Sequence, residues 1–209
     1  MQPTFLNHFF SEAVTLFVIL DPVATLPIFL AVTAGLDRRK SLLVAFYALA
    51  ISFVILLFFI VVGQGLLNAL RIPMASFQMT GSLVLLLFGL KMILGKVVEE
   101  AAALPAETPL FHRAVFPLAV PGIAGAGAIL TVVLLTDNRV RSFGEQVSTT
   151  GILVLCMALM FGLFAAASAV FRLLGRPGIE IISRVFGLIL ASIAVTGLVT
   201  AIKLSFGLS

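Results

Sequence analysis

A carboxylate and two prolines, in the stretch Leu20-Asp21-Pro22-Val23-Ala24-Thr25-Leu26-Pro27, interrupt an apolar run long enough to cross a bilayer. A charged carboxyl group near mid-membrane costs about 2.5–3.5 kcal/mol on insertion scales, so it is kept with a partner or a task. Pro22 and Pro27 each lack an N–H, and the carbonyls of the preceding turn lose donors that hydrocarbon cannot replace. The chain therefore needs a polar answer at this depth. Half a chain later it offers one: Pro117-Leu118-Ala119-Val120-Pro121-Gly122-Ile123-Ala124-Gly125-Ala126-Gly127, a second apolar run broken by prolines and glycines.

The uncharged runs fix the class. Residues 41–70, 114–136 and 146–171 carry no charge, and 61% of the 209 residues are hydrophobic against 11% charged. With about 20 apolar residues needed per crossing, the chain reads as an all-α polytopic membrane protein. Six spans are expected, near 10–34, 41–63, 73–94, 114–136, 147–171 and 181–203. The net charge of +4 does not point to nucleic acid, because the basic residues sit singly or in short groups between the apolar runs. Residues 1–11 hold no Lys or Arg, so the first run reads as a retained span rather than a cleaved leader. Cys156 is the only cysteine, which rules out an intrachain disulfide and a thiolate metal cluster.

Basic residues set the expected orientation. The connections after spans one, three and five hold nine of them: Arg38, Arg39, Lys40, Lys91, Lys96, Arg113, Arg172, Arg176 and Arg184. The opposite side holds four, Arg71, Arg139, Arg141 and Lys203. Lys and Arg are retained in the cytoplasm, so both termini are expected on the non-cytoplasmic side of a cell or inner membrane.

The two halves also run in parallel. Placing Pro22 on Pro121 gives, in each half, a broken span, a basic turn, an unbroken span and a span carrying Gly81 or Gly187. The expected organisation is a first three-helix repeat at 1–96, a cytoplasmic linker at 97–113 and a second three-helix repeat at 114–209. Three spans per half make the repeats inverted, with broken first helices. Many secondary transporters build a midplane site this way: unpaired N–H groups at a half-helix attract a carboxylate, and unpaired carbonyls attract a cation or ammonium.

At these two stretches the sequence resembles the MarC family of bacterial and archaeal membrane proteins, grouped with neutral amino acid transporters and, more distantly, the LysE exporter superfamily. Residues 17–30 look like the family's first signature, L-D-P-[IV]-G-N-[IL]-P, and residues 117–129 like its second, P-L-A-[IV]-P-x-[IL]-A-G-P-G-[AS]-I. Ala24 and Thr25 stand where the family usually has Gly and Asn, and Ala126 where it usually has Pro. The resemblance implies export of small neutral amino acids such as glycine or alanine.

The residues then divide into candidate roles. Asp21 is the deepest acidic residue; its carboxylate either meets a proton, cation or substrate ammonium, or caps the half-helix that begins at Pro22. The expected substrate-binding set is Asp21, Pro22, Ala24, Thr25, Pro27, Pro121, Gly122, Gly125, Ala126 and Gly127, with Thr33, Gln78 and Thr131 behind them. Glycines admit a ligand close to main-chain amides, and they equally serve close helix packing. Arg184 either neutralises a ligand carboxylate or snorkels at the boundary, and Glu12 is expected at the outer interface.

Three functions compete. The first is a secondary transporter by alternating access, the second a cation channel lined by freed carbonyls, and the third an intramembrane enzyme. The sequence has no His-Glu-x-x-His, no Gly-x-Ser-x-Gly and no second deep Asp, so the enzyme ranks last, and we expect none. No Gly-x-x-x-x-Gly-Lys-[Ser/Thr] motif occurs either. No cofactor or metal is expected; a proton or sodium as coupling ion, and assembly into a homo-oligomer, stay open.

Overall fold

The computed structural model of the chain describes residues 5–105, 107–136 and 143–207. These form α1 (Phe5–Leu20), α2 (Pro22–Val32), α3 (Arg38–Ala69), α4 (Met74–Ile93), α5 (Lys96–Ala102), α6 (Leu110–Arg113), an unwound segment at Ala114–Ile123, α7 (Ala126–Leu135) and α8 (Phe143–Phe206). No strand occurs among the described residues. The connection at 137–142, with Arg139 and Arg141, lies outside them.

Five helical stretches are long and apolar enough to cross a membrane, and the bent pair Leu110–Ile123 and Ala126–Leu135 makes a sixth. Burial along α3 explains why such helices need lipid. Val44, Ala48, Ser52, Leu56, Ile60, Gly63 and Leu67 recur at three- and four-residue spacing on the packed face. On other faces Val54 and Val61 are each 64% exposed and Phe58 49%. A helix that presents large apolar side chains outward as well as inward has hydrocarbon, not water, as its solvent.

Two expected boundaries move. α3 runs on to Ala69 because nothing charged stops it before Arg71. The connection expected over 172–184 contracts to a single break inside α8 at Gly175, which has φ 63° and ψ −178°. The last span therefore starts at Pro177, whose fixed φ suits a first helical turn.

The packing is organised by exchange. α1 and α2 pack on α8, where Phe29 stacks on Phe164 with ring centroids 4.5 Å apart and Cys156 lies buried. The unwound segment and α7 pack on α3, where the Ser52 hydroxyl lies 3.5 Å from the Ala119 carbonyl. The most extensive interface joins α4 to α8. It is built on Gly89 and Gly187: a Cβ on Gly89 would stand 2.9 Å from the Ala191 nitrogen and from the Gly187 oxygen, and one on Gly187 would stand 2.8 Å from the Met92 Cβ. Small residues let helix backbones approach where no hydrophobic force separates protein from lipid.

The linker is a packed element. Val97 and Ala101 of α5 are buried, and α5 packs on α2. Arg113 closes this arrangement. Only 4% exposed, it donates from Nη1 to the Val32 carbonyl at 2.8 Å, from Nη2 to Pro105 at 2.8 Å and from Nε to Thr108 at 3.2 Å. Val32 is the last residue of α2, so its carbonyl belongs to the orphan set at a helix C-terminus, where a cation is also favoured. Sequence reading had counted Arg113 only as an orienting charge; its buried role is legible only once the linker folds back.

Gly89→Ala, which drives a methyl into main-chain atoms, should lower the midpoint of thermal unfolding in detergent by the equivalent of about 1–3 kcal/mol. Gly162→Ala, where a Cβ meets nothing within 4 Å, should leave the midpoint unchanged or raise it. Arg113→Lys cannot reach three carbonyls with one ammonium and should cost about 1.5–3 kcal/mol or more. Limited proteolysis should then cut the 103–109 linker faster than in the parent chain.

Candidate functional site

The two interruptions are unequal. At the first, Asp21 alone leaves the helix, with φ 45° and ψ 64° in the left-handed region that Asp and Asn tolerate better than most residues. Its Oδ1 accepts from the Ala24 N–H at 3.1 Å, an N-cap, and Pro22 occupies the first helical position, where a missing N–H costs nothing. The Thr25 N–H donates to the Asp21 carbonyl at 3.1 Å, and the Thr25 hydroxyl is shared between the Asp21 and Pro22 carbonyls at 3.2 and 3.1 Å. Pro27 does not break the helix but sits inside it. α1 and α2 thus continue as one span, Phe10–Val32.

The second interruption is a true rupture. Phe116 and Val120 adopt extended dihedrals, the peptide bonds before Pro117 and Pro121 are cis, and the chain bends by 56° between the unwound segment and α7. The Ala124 N–H reaches back five residues to the Ala119 carbonyl at 2.8 Å. The glycines are required by close main-chain approach: a Cβ on Gly122 would come 3.0 Å from the Pro117 oxygen, and one on Gly125 would strike the Pro121 carbonyl. Gly125 starts α7 without a side-chain cap, so the orphan N–H groups of that helix's first turn have no side chain to serve them.

Both interruptions line one small cavity of about 30 Å³. Asp21, Ala24 and Thr25 come from the first, and Pro121, Gly122, Gly125 and Gly127 from the second. Among the described residues, the cap to Ala24 is the one hydrogen bond of the Asp21 carboxylate. The volume exceeds the roughly 10–15 Å³ that a single water requires. This is a small cavity with a carboxylate on one wall and an uncapped helix N-terminus on the other.

The remaining expected residues fall elsewhere. Pro22 is buried outside the cavity wall, and Ala126 packs against Gly81, where a Cβ would lie 3.5 Å from the Ala126 oxygen. Pro27 and Thr33 line a second and larger cavity; the Thr33 hydroxyl is spent on the Phe29 carbonyl at 2.6 Å. Gln78 and Thr131, both half-buried, line neither. Leu85 and Phe88 of α4 and Leu190 and Ile193 of α8 also line the small cavity, and the sequence alone does not single them out. They carry no polar signal, and only their nearness to the flagged Gly81 and Gly187 hinted at the region. Glu12, at the outer end of the first span, is 7% exposed and accepts from the Thr149 hydroxyl at 3.3 Å, because α8 covers this end of α1.

The larger cavity, of about 870 Å³, opens among the α2–α3 connection, the α4–α5 turn and α8. The first and third connections between spans therefore lie on one face of the molecule, beside the parts of α8 that flank its break.

Comparison with known proteins supports a membrane assignment over the full length of this fold. The sequence profile described as MarC family integral membrane protein matches residues 6–206. The chain is 30% identical over 189 residues to the UPF0056 inner membrane protein YhgN of Escherichia coli, covering 90% of this chain and 93% of that one. It is 32% identical over 197 residues to a UPF0056 membrane protein of Archaeoglobus fulgidus, covering 91% and 90%. A UPF0056 membrane protein of Aquifex aeolicus is 27% identical over 198 residues. No solved structure matches the chain. With its helical fold and two signature stretches meeting at one cavity, the chain belongs to the MarC family of integral membrane proteins.

Proposed function

We propose that this protein is a secondary transporter of small neutral amino acids, of the size of glycine or alanine, working by alternating access at the two interrupted helices. One observation carries the reading: Asp21 and the Pro121–Gly127 bend, a hundred residues apart, share the wall of a single cavity. A zwitterion has a carboxylate and an ammonium to place, and the two walls differ in sign as such a guest requires.

The local hydrogen bonds favour one placement of the ends. The Ala24 and Thr25 N–H groups already serve Asp21, so the guest's carboxylate goes to the first turn of α7 and its ammonium to the Asp21 carboxylate. The cavity is tight, about 30 Å³, so on this reading the packed elements part as the guest enters. The exchange in packing, with α1 and α2 on α8 and the second broken span on α3, favours two inverted repeats that rock against each other. On the orientation set by the basic residues, the larger cavity faces the cytoplasm and the closed centre is reached from there in an exporter.

Counterflow of labelled glycine or alanine in proteoliposomes tests the proposal. Internal unlabelled amino acid should accelerate uptake; single-channel currents without acceleration would point to a pore instead. Asp21→Asn is the informative variant, because Asn keeps the cap to Ala24 and tolerates the left-handed backbone while removing the charge. Exchange should fall by about tenfold or more, the value of one charge-assisted hydrogen bond, with normal insertion and unfolding midpoint. Unchanged exchange kinetics in Asp21→Asn would remove this carboxylate from the site.

A further inference from the structure

The larger cavity joins a charged rim to an apolar interior. Its rim is made where spans end: Arg38 begins α3, Gly95 and Glu99 follow the end of α4 at Ile93, and Glu180 and Arg184 follow the start of the last span at Pro177. These are the residues that stand level with the polar boundary of a bilayer. From there the lining runs inward along α2 as far as Pro27, five residues before the end of that helix at Val32, or about 8 Å of helix. Phe29 and Phe164, stacked on each other, give this inner part an aromatic wall.

The polar groups of the rim are unspent. Arg38, Arg184, Glu99 and Glu180 form no ion pair or hydrogen bond among the described residues, where the ion pairs are Lys40 with Asp37 and Lys91 with Glu100. The Arg184 guanidinium lies across the α4–α5 turn, its Nη2 3.5 Å from where a Cβ on Gly95 would stand. Snorkelling accounts for an arginine at a boundary, but not for Ser183. That residue is 1% exposed and lines the cavity, and its Oγ has no hydrogen-bond partner among the described residues. Hydroxyls elsewhere on these helices donate to the carbonyl four residues back, as Thr33, Thr136 and Ser192 do. A buried polar group without a partner is costly, and a guest that supplies one relieves it.

We infer that this cavity seats one phospholipid of the adjoining leaflet, with an ethanolamine headgroup. A phosphodiester accepts from guanidinium and hydroxyl donors, so it goes to Arg184 and Arg38 with the Ser183 hydroxyl. The primary ammonium gives its N–H donors to Glu99 or Glu180, and an acyl chain lies along the Phe29–Phe164 stack. A choline headgroup has no N–H to offer the two carboxylates, and a glycerol headgroup brings them no cation. At about 870 Å³ the space lies in the upper part of the roughly 300–1,000 Å³ range of ligand pockets, as a headgroup and the start of a chain require. The assignment does not need the transporter reading; on that reading the seated lipid stands on the guest's route, and the two occupy this face in turn.

Native mass spectrometry of the full-length protein, stripped of lipid in detergent and titrated with dioleoyl phosphatidylethanolamine, phosphatidylcholine or phosphatidylglycerol, tests this. One phosphatidylethanolamine should bind about tenfold more tightly than either of the others. Glu180→Gln should lower phosphatidylethanolamine to the level of phosphatidylcholine while leaving phosphatidylcholine unchanged, a pattern that general loosening of the fold does not produce. Arg184→Gln should weaken all three lipids by about tenfold and Ser183→Ala by about three- to tenfold, with unfolding midpoints near the parent's as the check on folding. Glycerophosphoethanolamine, the same headgroup without acyl chains, should compete at least about tenfold more weakly. Equal competition by it would make the occupant a water-soluble phosphate compound and overturn the assignment. So would phosphatidylcholine or phosphatidylglycerol bound as tightly as phosphatidylethanolamine, or unchanged phosphatidylethanolamine binding in both Arg184→Gln and Glu180→Gln. Asp21→Asn should bind the lipid as the parent does, whatever its exchange activity; loss of lipid binding in a folded Asp21→Asn would place the lipid elsewhere and count against this cavity.

Discussion

Hydrocarbon offers no hydrogen bonds, so each main-chain group released where a spanning helix is interrupted must be answered from within the protein. That constraint accounts for much of what is unusual here. At the first interruption the answer is local: the Asp21 carboxylate takes the Ala24 N–H, and the Thr25 hydroxyl serves two carbonyls of the same turn. At the end of the same span the answer comes from far away in sequence, when Arg113 donates to Val32. At the second interruption the wide Ala124 to Ala119 bond closes part of the rupture, while the first turn of α7 is left without a side-chain cap. The unserved amides and the part-used carboxylate face the same cavity.

Glycine packing makes that meeting geometrically stable. α4 and α8 cross in main-chain contact at Gly89 and Gly187, and Gly81 lies against Ala126 at the start of α7. The helices around the centre are therefore close enough to shut it to about 30 Å³. Near Gly175 the backbone of α8 is broken, and the 870 Å³ cavity opens between the two limbs of that helix and the connections after α2 and α4.

Much of the fold was legible in the sequence, because charge-free runs such as 41–70 leave few alternatives to a spanning helix. The meeting of Asp21 with the Pro121–Gly127 stretch was legible too, since freed backbone groups in lipid need polar company. What the sequence concealed was the kind of break. Pro27 suggested a rupture and sits quietly inside α2, whereas the left-handed Asp21 does the breaking, a backbone state that residue type permits but does not announce. The apolar lining by Leu85, Phe88, Leu190 and Ile193 was equally hidden, since each looks like any lipid-facing residue until the helices are packed. Arg113 and Glu12 were read as boundary charges and are buried, because the folded linker and α8 bring carbonyls or a hydroxyl to them.

The claim on which the account rests is that the two interrupted spans touch at the centre. A Cβ on Gly122 would stand 3.8 Å from the Thr25 Cγ2, within reach of a disulfide. In a Cys156→Ala background, Thr25→Cys paired with Gly122→Cys should crosslink under mild oxidation in native membranes, while Thr80→Cys paired with Gly122→Cys should not. Failure of the first pair to crosslink, or equal crosslinking of both, would contradict a shared centre.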